Sequence, residues 1–370
     1  NIESYKRNGE YIMKLGIITF HRAKNYGAVL QAYALNKATQ NLNIDSDIID
    51  YRENKIENDY IFFKNKKPKK FLKDILNYPL KIKKWKKFDN FIEKNISLSD
   101  KCTNEEELRR ISEKYDCFIT GSDQVFNLKM TGNDKNYFLD FVSDDKKKNS
   151  YAASFGQKII PKEQKNIYHD LLVKFNNISI RENDAINIVD TLVQREARID
   201  IDPSFLIDKE QWKCIAKEPK EKNYILLFTM QQNSTIFNFA EKLSEKTGYK
   251  IIFITDGYKK RLKAIHKTNI GPEEWIGYFL NAKYVITNSF HGLSFSINFN
   301  KDFFVELQKP PATGNSRLET LIDEYGLRER LVENGENSNI DKKIDWEKVN
   351  EKLERNKKKS LEYLKGLKNE

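Results

Sequence analysis

Two stretches of the chain share one rhythm: a short unbroken apolar run, a polar loop, then an apolar helical segment. The first is residues 15–20, the polar loop 22–27 and the segment from Ala28; the second is residues 284–287, the loop 288–292 and the run 293–299. An apolar run this short, bounded by turn residues, reads as a buried strand, and spacing near 3.6 after it reads as a helix. The same style fills the space between them. Strands are expected at 47–51, 117–120, 150–154 and 178–180, with helices at 28–40 and 162–175. That alternation is βαβ and implies a parallel sheet. A polar stretch at 217–223 then interrupts the pattern. Beyond it come a strand at 224–229, a helix at 234–247 closed by Gly248, a strand at 250–255, a helix opening near Pro272 and a strand at 302–306. Ser316-Arg317-Leu318-Glu319 is a capping-box pattern for a helix that stops near Gly326. Ile344, Trp346, Val349, Leu353, Leu361 and Leu364 mark an amphipathic C-terminal helix.

At 370 residues the chain is long for one core, and a prior of about 150 residues per domain gives two. The expected division is 13–216 for an N-terminal Rossmann-like domain with a basic helical insertion near 62–91, 224–335 for a C-terminal one, and 341–370 for a terminal helix. Residues 1–12 read as a leader outside the fold, because Met13 directly precedes the first strand.

Composition narrows the function classes. With 39% hydrophobic and 12% aromatic residues the chain has enough apolar side chains for packed cores. The balance of 65 Lys+Arg against 54 Asp+Glu, +11 in all, attracts anions, so nucleic acid, phosphorylated metabolites, acidic polymers and anionic lipid stay eligible. Cys102, Cys117 and Cys214 form neither a CxxC site nor an even disulfide framework, which points to a reducing compartment. There is no apolar stretch of about 18 residues and no signal-peptide core near the start. The expectation is a cytoplasmic protein, or one peripheral on the inner membrane face.

The candidate chemistry sits at the strand-to-helix corners. His291, one of four histidines, follows a strand and opens a helix with Gly292. Unpaired N–H groups in a first helical turn favour an anion, and an imidazole beside them adds a proton or a hydrogen bond. Asn288 and Ser289 belong to the same corner; capping of the helix is the plainer role. In the first corner Asn25 offers an amide and Gly27 a close approach, or together an ordinary turn and N-cap. This loop lacks G-x-G-x-x-G, so no dinucleotide cofactor is expected. Ser122 and Asp123 follow the 117–120 strand; Asp123 is a candidate general base, with a strand-ending Asx turn as the alternative. Arg181 and Arg317 can each grip a carboxylate or phosphate through two parallel bonds, or form ordinary salt bridges. No clustered ligand motif calls for a metal. The stretch 62–91 interleaves lysines with Phe71, Trp85, Phe88 and other apolar residues. It reads either as a basic face for anionic lipid or as solvated lysines over a packed stripe.

The ordered set of Gly16-Ile17-Ile18-Thr19-Phe20-His21, Asn25 to Tyr33, Gly121-Ser122-Asp123-Gln124-Val125, Asn288 to Gly292 and Asn298 to Lys301 resembles the polysaccharide pyruvyl transferases, from about Leu15 to Leu331. Members move pyruvyl groups from phosphoenolpyruvate onto sugar hydroxyls. The resemblance implies phosphoenolpyruvate as donor, with no further cofactor, and a sugar or lipid-linked oligosaccharide as acceptor. It implies His291 as general acid or phosphate ligand, Asp123 as base, and Asn25, Gly27, Ser122, Arg181, Asn288, Ser289, Gly292 and Arg317 around the substrates. Characterised members often carry an arginine where this chain has Ser289; Arg181 or Arg317 would then have to supply that contact. Two doubly wound domains facing a cleft also resemble the GT-B glycosyltransferases. A glycosyltransferase using a nucleotide sugar is therefore the nearest rival, and a non-enzymatic binder of anionic polymer the rival from another class.

Overall fold

The computed structural model describes residues 6–7, 10–11, 13–53, 68–256, 262–309, 315–337 and 339–369. Two short strands, β1 (Lys6–Arg7) and β2 (Glu10–Tyr11), pair antiparallel. After them the chain forms two compact units, each with its own parallel sheet.

Unit 1 comprises residues 1–60, 92–206 and 355–370. Its elements run β3 (Lys14–Ile18), α1 (Tyr26–Asn41), β4 (Asp45–Ile48), α2 (Pro68–Asn95, shared with unit 2), α3 (Glu105–Ser112), β5 (Cys117–Thr120), α4 (Leu128–Thr131), β6 (Lys148–Ser150), α5 (Lys165–Leu172), β7 (Ser179–Ile180), α6 (Asp184–Val193) and β8 (Arg198–Ile199). The sheet order is β4-β3-β5-β6, all parallel, and single bridges from Asn149 and Ala153 carry it on to the β7-β8 pair. β3 and β5 are buried along almost their whole length, which is why they read as unbroken apolar runs. The order reverses between β3 and β5. In open α/β sheets ligands bind at the carboxyl ends of the strands at such a reversal. The core beneath is largely aromatic: Phe126 stacks on Phe138 at 4.7 Å and meets Phe155 and Phe175. Each fully buried phenylalanine contributes about 1.5–3 kcal/mol.

Unit 2 comprises residues 61–91 and 207–354. Beyond its share of α2 it contains α7 (Lys209–Ile215), β9 (Tyr224–Phe228), α8 (Ser234–Thr247), β10 (Lys250–Ile254), β11 (Ile265–Lys267), α9 (Pro272–Asn281), β12 (Tyr284–Thr287), α10 (Phe290–Asn298), β13 (Asp302–Val305) and α11 (Asn315–Glu324). The parallel order β11-β10-β9-β12-β13 is Rossmann-like, with its reversal between β9 and β12. α12 (Trp346–Gly366) gives its first residues to unit 2 and those from Arg355 on to unit 1.

The division differs from the one the sequence suggests in two places. Residues 61–91 group with unit 2 rather than with the N-terminal half, and the break falls after Leu206, ahead of the polar 217–223 stretch. The reason for the second lies in packing. Trp212 of α7 is fully buried against Phe295 of α10, with ring centroids 4.9 Å apart. Strands shift slightly as well: 47–51 is observed as Asp45–Ile48 and 150–154 as Lys148–Ser150.

Candidate functional site

In unit 2 the chemistry collects where β9 and β12 end. Asn288 is fully buried, and its side chain spans the reversal: Oδ1 accepts the N–H of Met230 at 2.8 Å, while Nδ2 donates to the Gln231 carbonyl at 2.5 Å. Thr287 Oγ1 donates to the Phe228 carbonyl at 2.7 Å and accepts the Ser289 N–H at 3.1 Å. The loop after β9 is thus stitched to the corner after β12. Ser289 is the N-cap of α10, its hydroxyl accepting the Gly292 N–H at 3.3 Å. His291 follows in the first helical turn, 8% exposed. Gly292 is required by space: a Cβ there would lie 2.2 Å from Thr287 Oγ1. The Arg317 guanidinium stands 5.9 Å from the centroid of the Phe290 ring, so α11 brings a cation to the same corner.

In unit 1 the corresponding edge lies after β3 and β5. Asn25 caps α1, with Oδ1 accepting the Ala28 N–H at 3.3 Å, and Gly27 is buried in the first turn. Thr19 Oγ1 donates to the Ser122 carbonyl at 2.9 Å and ties the two loops together. Asp123 has a φ of +77°, a left-handed conformation that asparagine and aspartate adopt more readily than most side chains. Its Oδ1 accepts the Gln124 N–H at 2.9 Å, and Arg181 Nη2 lies 3.8 Å away.

Three residues expected to touch substrate are instead buried and committed to the protein. Arg181 Nη1 donates to Asp202 at 2.7 Å and to Ser122 Oγ at 3.2 Å, and Ser122 is itself fully buried. Burial opposes the charge on Arg181, but Asp202, Asp123 and Glu182 outweigh it and raise its pKa. Asn288 is the third, held by the loop after β9. The structure therefore brings Ser289, His291, Gly292 and Arg317 together in one unit, and Asn25, Gly27 and Asp123 along one edge of the other.

A second charged cluster in unit 1 was not legible in the sequence. Asp50, just past β4, accepts from His21 Nε2 at 2.9 Å, from Arg22 Nε and Nη2 at 2.8 Å each, and from Arg52 Nε and Nη2 at 2.9 and 3.0 Å. His21 Nδ1 faces the Thr19 carbonyl at 3.1 Å. Burial raises the Asp50 pKa, yet the bonds from His21, Arg22 and Arg52 overcome it and hold the carboxyl well below the usual range. Burial pulls the His21 pKa down against the pull of Asp50. His21 closes the Gly16–His21 segment and Arg22 follows it directly, and that adjacency was the available signal.

The basic helix is also partly explained. Lys84 is buried and pairs with Asp256 at 2.6 Å, and Lys87 pairs with Glu274 at 2.8 Å and with the Asn269 carbonyl at 2.7 Å. Lys83 and Lys86 remain exposed. Of these four lysines, Lys84 and Lys87 are therefore engaged by carboxylates of unit 2. The side chains of 62–78 and of Leu80 lie outside the described residues. Among the described residues no helix is long and apolar enough to cross a membrane, and no group of three or more His, Cys, Asp or Glu is placed to hold a metal.

Two parallel, doubly wound units with polar corners at their sheet reversals define an α/β protein of the GT-B-like class. The UDP-GlcNAc 2-epimerase of Methanocaldococcus jannaschii has this fold: it is similar over 92% of this chain and 92% of its own, at 15% identity and a TM-score of 0.50. A glycosyltransferase from Rickettsia africae aligns over 96% of this chain and 98% of its own, at 10% identity and a TM-score of 0.49. No curated protein matches the chain. Residues 25–305 match the polysaccharide pyruvyl transferase family, and the chain belongs to it. That family places it among the transferases.

Proposed function

We propose that this protein transfers a pyruvyl group from phosphoenolpyruvate to a sugar of a cell-surface polysaccharide or its precursor, closing a ketal. The observation that carries the reading is the α10 corner within a chain of this family: a capped helix N-terminus, His291 in its first turn and Arg317 beside Phe290. The donor is a small dianion with a carboxylate. The first-turn N–H groups suit its phosphate, and Arg317 suits its carboxylate in place of the arginine that Ser289 replaces.

His291 then protonates the methylene carbon of the donor. The neighbouring carbon becomes cationic, and one acceptor hydroxyl attacks it and gives up its proton. Phosphate leaves, and the second hydroxyl adds to the same carbon to close the ring, its proton passing to the departing phosphate. Asp123 is the assigned base for a hydroxyl proton, with Arg181 holding it in place rather than touching substrate. The reaction needs no metal and no cofactor beyond its donor. The acceptor is a free or lipid-linked saccharide, and the protein works in the cytoplasm, with Lys83 and Lys86 available to an anionic membrane surface.

Calorimetric titration of the purified full chain with phosphoenolpyruvate tests this, alongside His291→Ala and with phosphate and a nucleotide sugar as controls. Selective binding that depends on His291 is expected, with turnover in the variant reduced about a hundredfold to ten-thousandfold. Silence toward phosphoenolpyruvate together with nucleotide-sugar binding would replace this reading by a glycosyltransferase.

A further inference from the structure

We infer that Lys301 is a covalent acceptor for carbon dioxide, its amine forming a carbamate whose negative charge is held between Lys209 and Lys283. The inference rests on no part of the function proposed above.

Three lysines meet at the amino edge of the unit 2 sheet, each brought there by a different segment. Lys301 follows α10 and leads into β13; its backbone N–H is tied to the Ser296 carbonyl at 2.9 Å, and its Nζ donates to the Ala282 carbonyl at 3.2 Å. Ala282 lies between α9 and β12, so Lys283, the next residue, comes to the same place, with its own N–H fixed on the Tyr224 carbonyl at 3.0 Å. Lys209 opens α7. That helix is drawn against α10 by the bond from Asn298 Nδ2 to the Ile207 carbonyl at 3.3 Å and by Trp212 packing on Phe295. Lys209 and Lys301 are half-buried, and Lys283 is exposed.

The cluster opposes its own charge. Asp302 is the acidic neighbour of Lys301, but it acts on the amine less than either lysine does, and it faces Arg330 at 3.9 Å. Burial first, then the charges of Lys209 and Lys283, hold the Lys301 pKa down to about 8. The neutral amine this favours is the form that attacks carbon. Its lone pair forms an N–C bond to carbon dioxide, one C=O electron pair moves onto oxygen, and an N–H proton passes to water. The product is an N-carboxylate, and its neighbours change role: the two cations that opposed an ammonium now face an anion. A neutral acyl group would relieve the repulsion without gaining that attraction. The same two lysines therefore prepare the nucleophile and hold the product.

The test incubates the full-length protein with isotopically labelled bicarbonate near pH 8, fixes any carbamate as its ester with a trialkyloxonium salt, and reads each lysine by peptide mass spectrometry. Lys301 is expected to carry the labelled ester at least about tenfold above exposed lysines such as Lys83. Lys209→Gln together with Lys283→Gln should reduce it about tenfold, because the change returns the proton to the amine and removes both counterions. Lys209→Arg together with Lys283→Arg keeps the charges and should keep the ester within about twofold. Absence of label from Lys301 overturns the inference. So does label that the glutamine pair leaves unchanged, since the flanking charges would then hold nothing. Label lost from the arginine pair as well overturns it too, because charge would not be what governs the amine. Thermal melting confirms that both pairs are folded, and the labelling of the unmodified chain depends on neither.

Discussion

The two carboxyl edges use the same architecture and opposite means of holding it. In unit 2 the corner after β12 is stitched by neutral groups: the Asn288 amide, the Thr287 and Ser289 hydroxyls and backbone. In unit 1 the edge is held by buried ions, Arg181 on Asp202 and three donor side chains on Asp50. Neutral stitches leave a helix terminus electrostatically open, so a mobile anion can supply the missing charge. Buried ion pairs fix direction at the cost of desolvation, and they fail badly when one partner is removed. The unit 2 corner is thus held without charge at its helix terminus, while the unit 1 edge is fixed in direction by its ion pairs.

The largest effect is expected where an ion pair is broken. Asp202→Ala strips Arg181 of its closest carboxylate and Ser122 of a partner, and also removes the cap on the Ser204 N–H. A loss of about 3–5 kcal/mol is expected by denaturant melting. A change under about 1 kcal/mol would mean that Asp202 is not the anchor of this edge.

Next comes crowding in unit 2. Gly292→Ala pushes a Cβ to 2.2 Å from Thr287 Oγ1, which must move and give up its bonds to Phe228 and Ser289. Overpacking of this kind costs about 1–3 kcal/mol. The double variant with Thr287→Ala should lose less than the sum of the two single changes, since the clash disappears with the hydroxyl. Additive losses would show that the close approach is not what the glycine is for.

The acid response should divide the units too. Asp50 has a depressed folded-state pKa, so the unfolded chain takes up its proton first as pH falls. The stability it contributes is complete above the ordinary aspartate value of about 3.9 and is lost progressively below it. Asp50→Asn should therefore lower stability at neutral pH and flatten the loss below about pH 4, as read from melting curves across pH. An equally steep acid limb in the variant would remove Asp50 from that role.

These contrasts show how far the sequence can be read. The α10 corner was legible because its ingredients are adjacent: an apolar run, a serine, a histidine and a glycine within residues 284–292. The βαβ style was legible where the buried parallel strands are mostly apolar, as in β5 and β12, and blurred where they are polar, as in β4 and β6. What was not legible depends on distant partners. Asp50 meets His21 from 29 positions away, and Lys84 meets Asp256 from 172. A lysine-rich run looks the same in sequence whether it faces water, lipid or a carboxylate. Likewise Ser122 and Arg181 stood in the right segments, but only the packing of the edge shows that they face inward and are already bonded.

The smallest expected effect lies at the other end of the unit 2 sheet. Lys301 precedes β13, and its Nζ donates to the Ala282 carbonyl at 3.2 Å. Burial, followed by the like charges of Lys209 and Lys283, lowers its pKa to about 8. At pH 8 roughly half of its amine is neutral, against well under 1% for an ordinary lysine near 10.4. Because the folded chain resists this proton, stability falls as pH drops from about 10.4 toward 8 and is constant below. Brief treatment with a small acylating reagent at pH 8 should mark Lys301 ahead of the exposed lysines, as read by peptide mass spectrometry. Since Lys301 lies at the amino edge, that mark should leave phosphoenolpyruvate affinity at the carboxyl-edge corner intact. Acylation that tracks exposure alone would show that burial and its two lysine neighbours do not set the reactivity of this amine. A fall in donor affinity proportional to Lys301 labelling would show that the two edges of unit 2 are not independent.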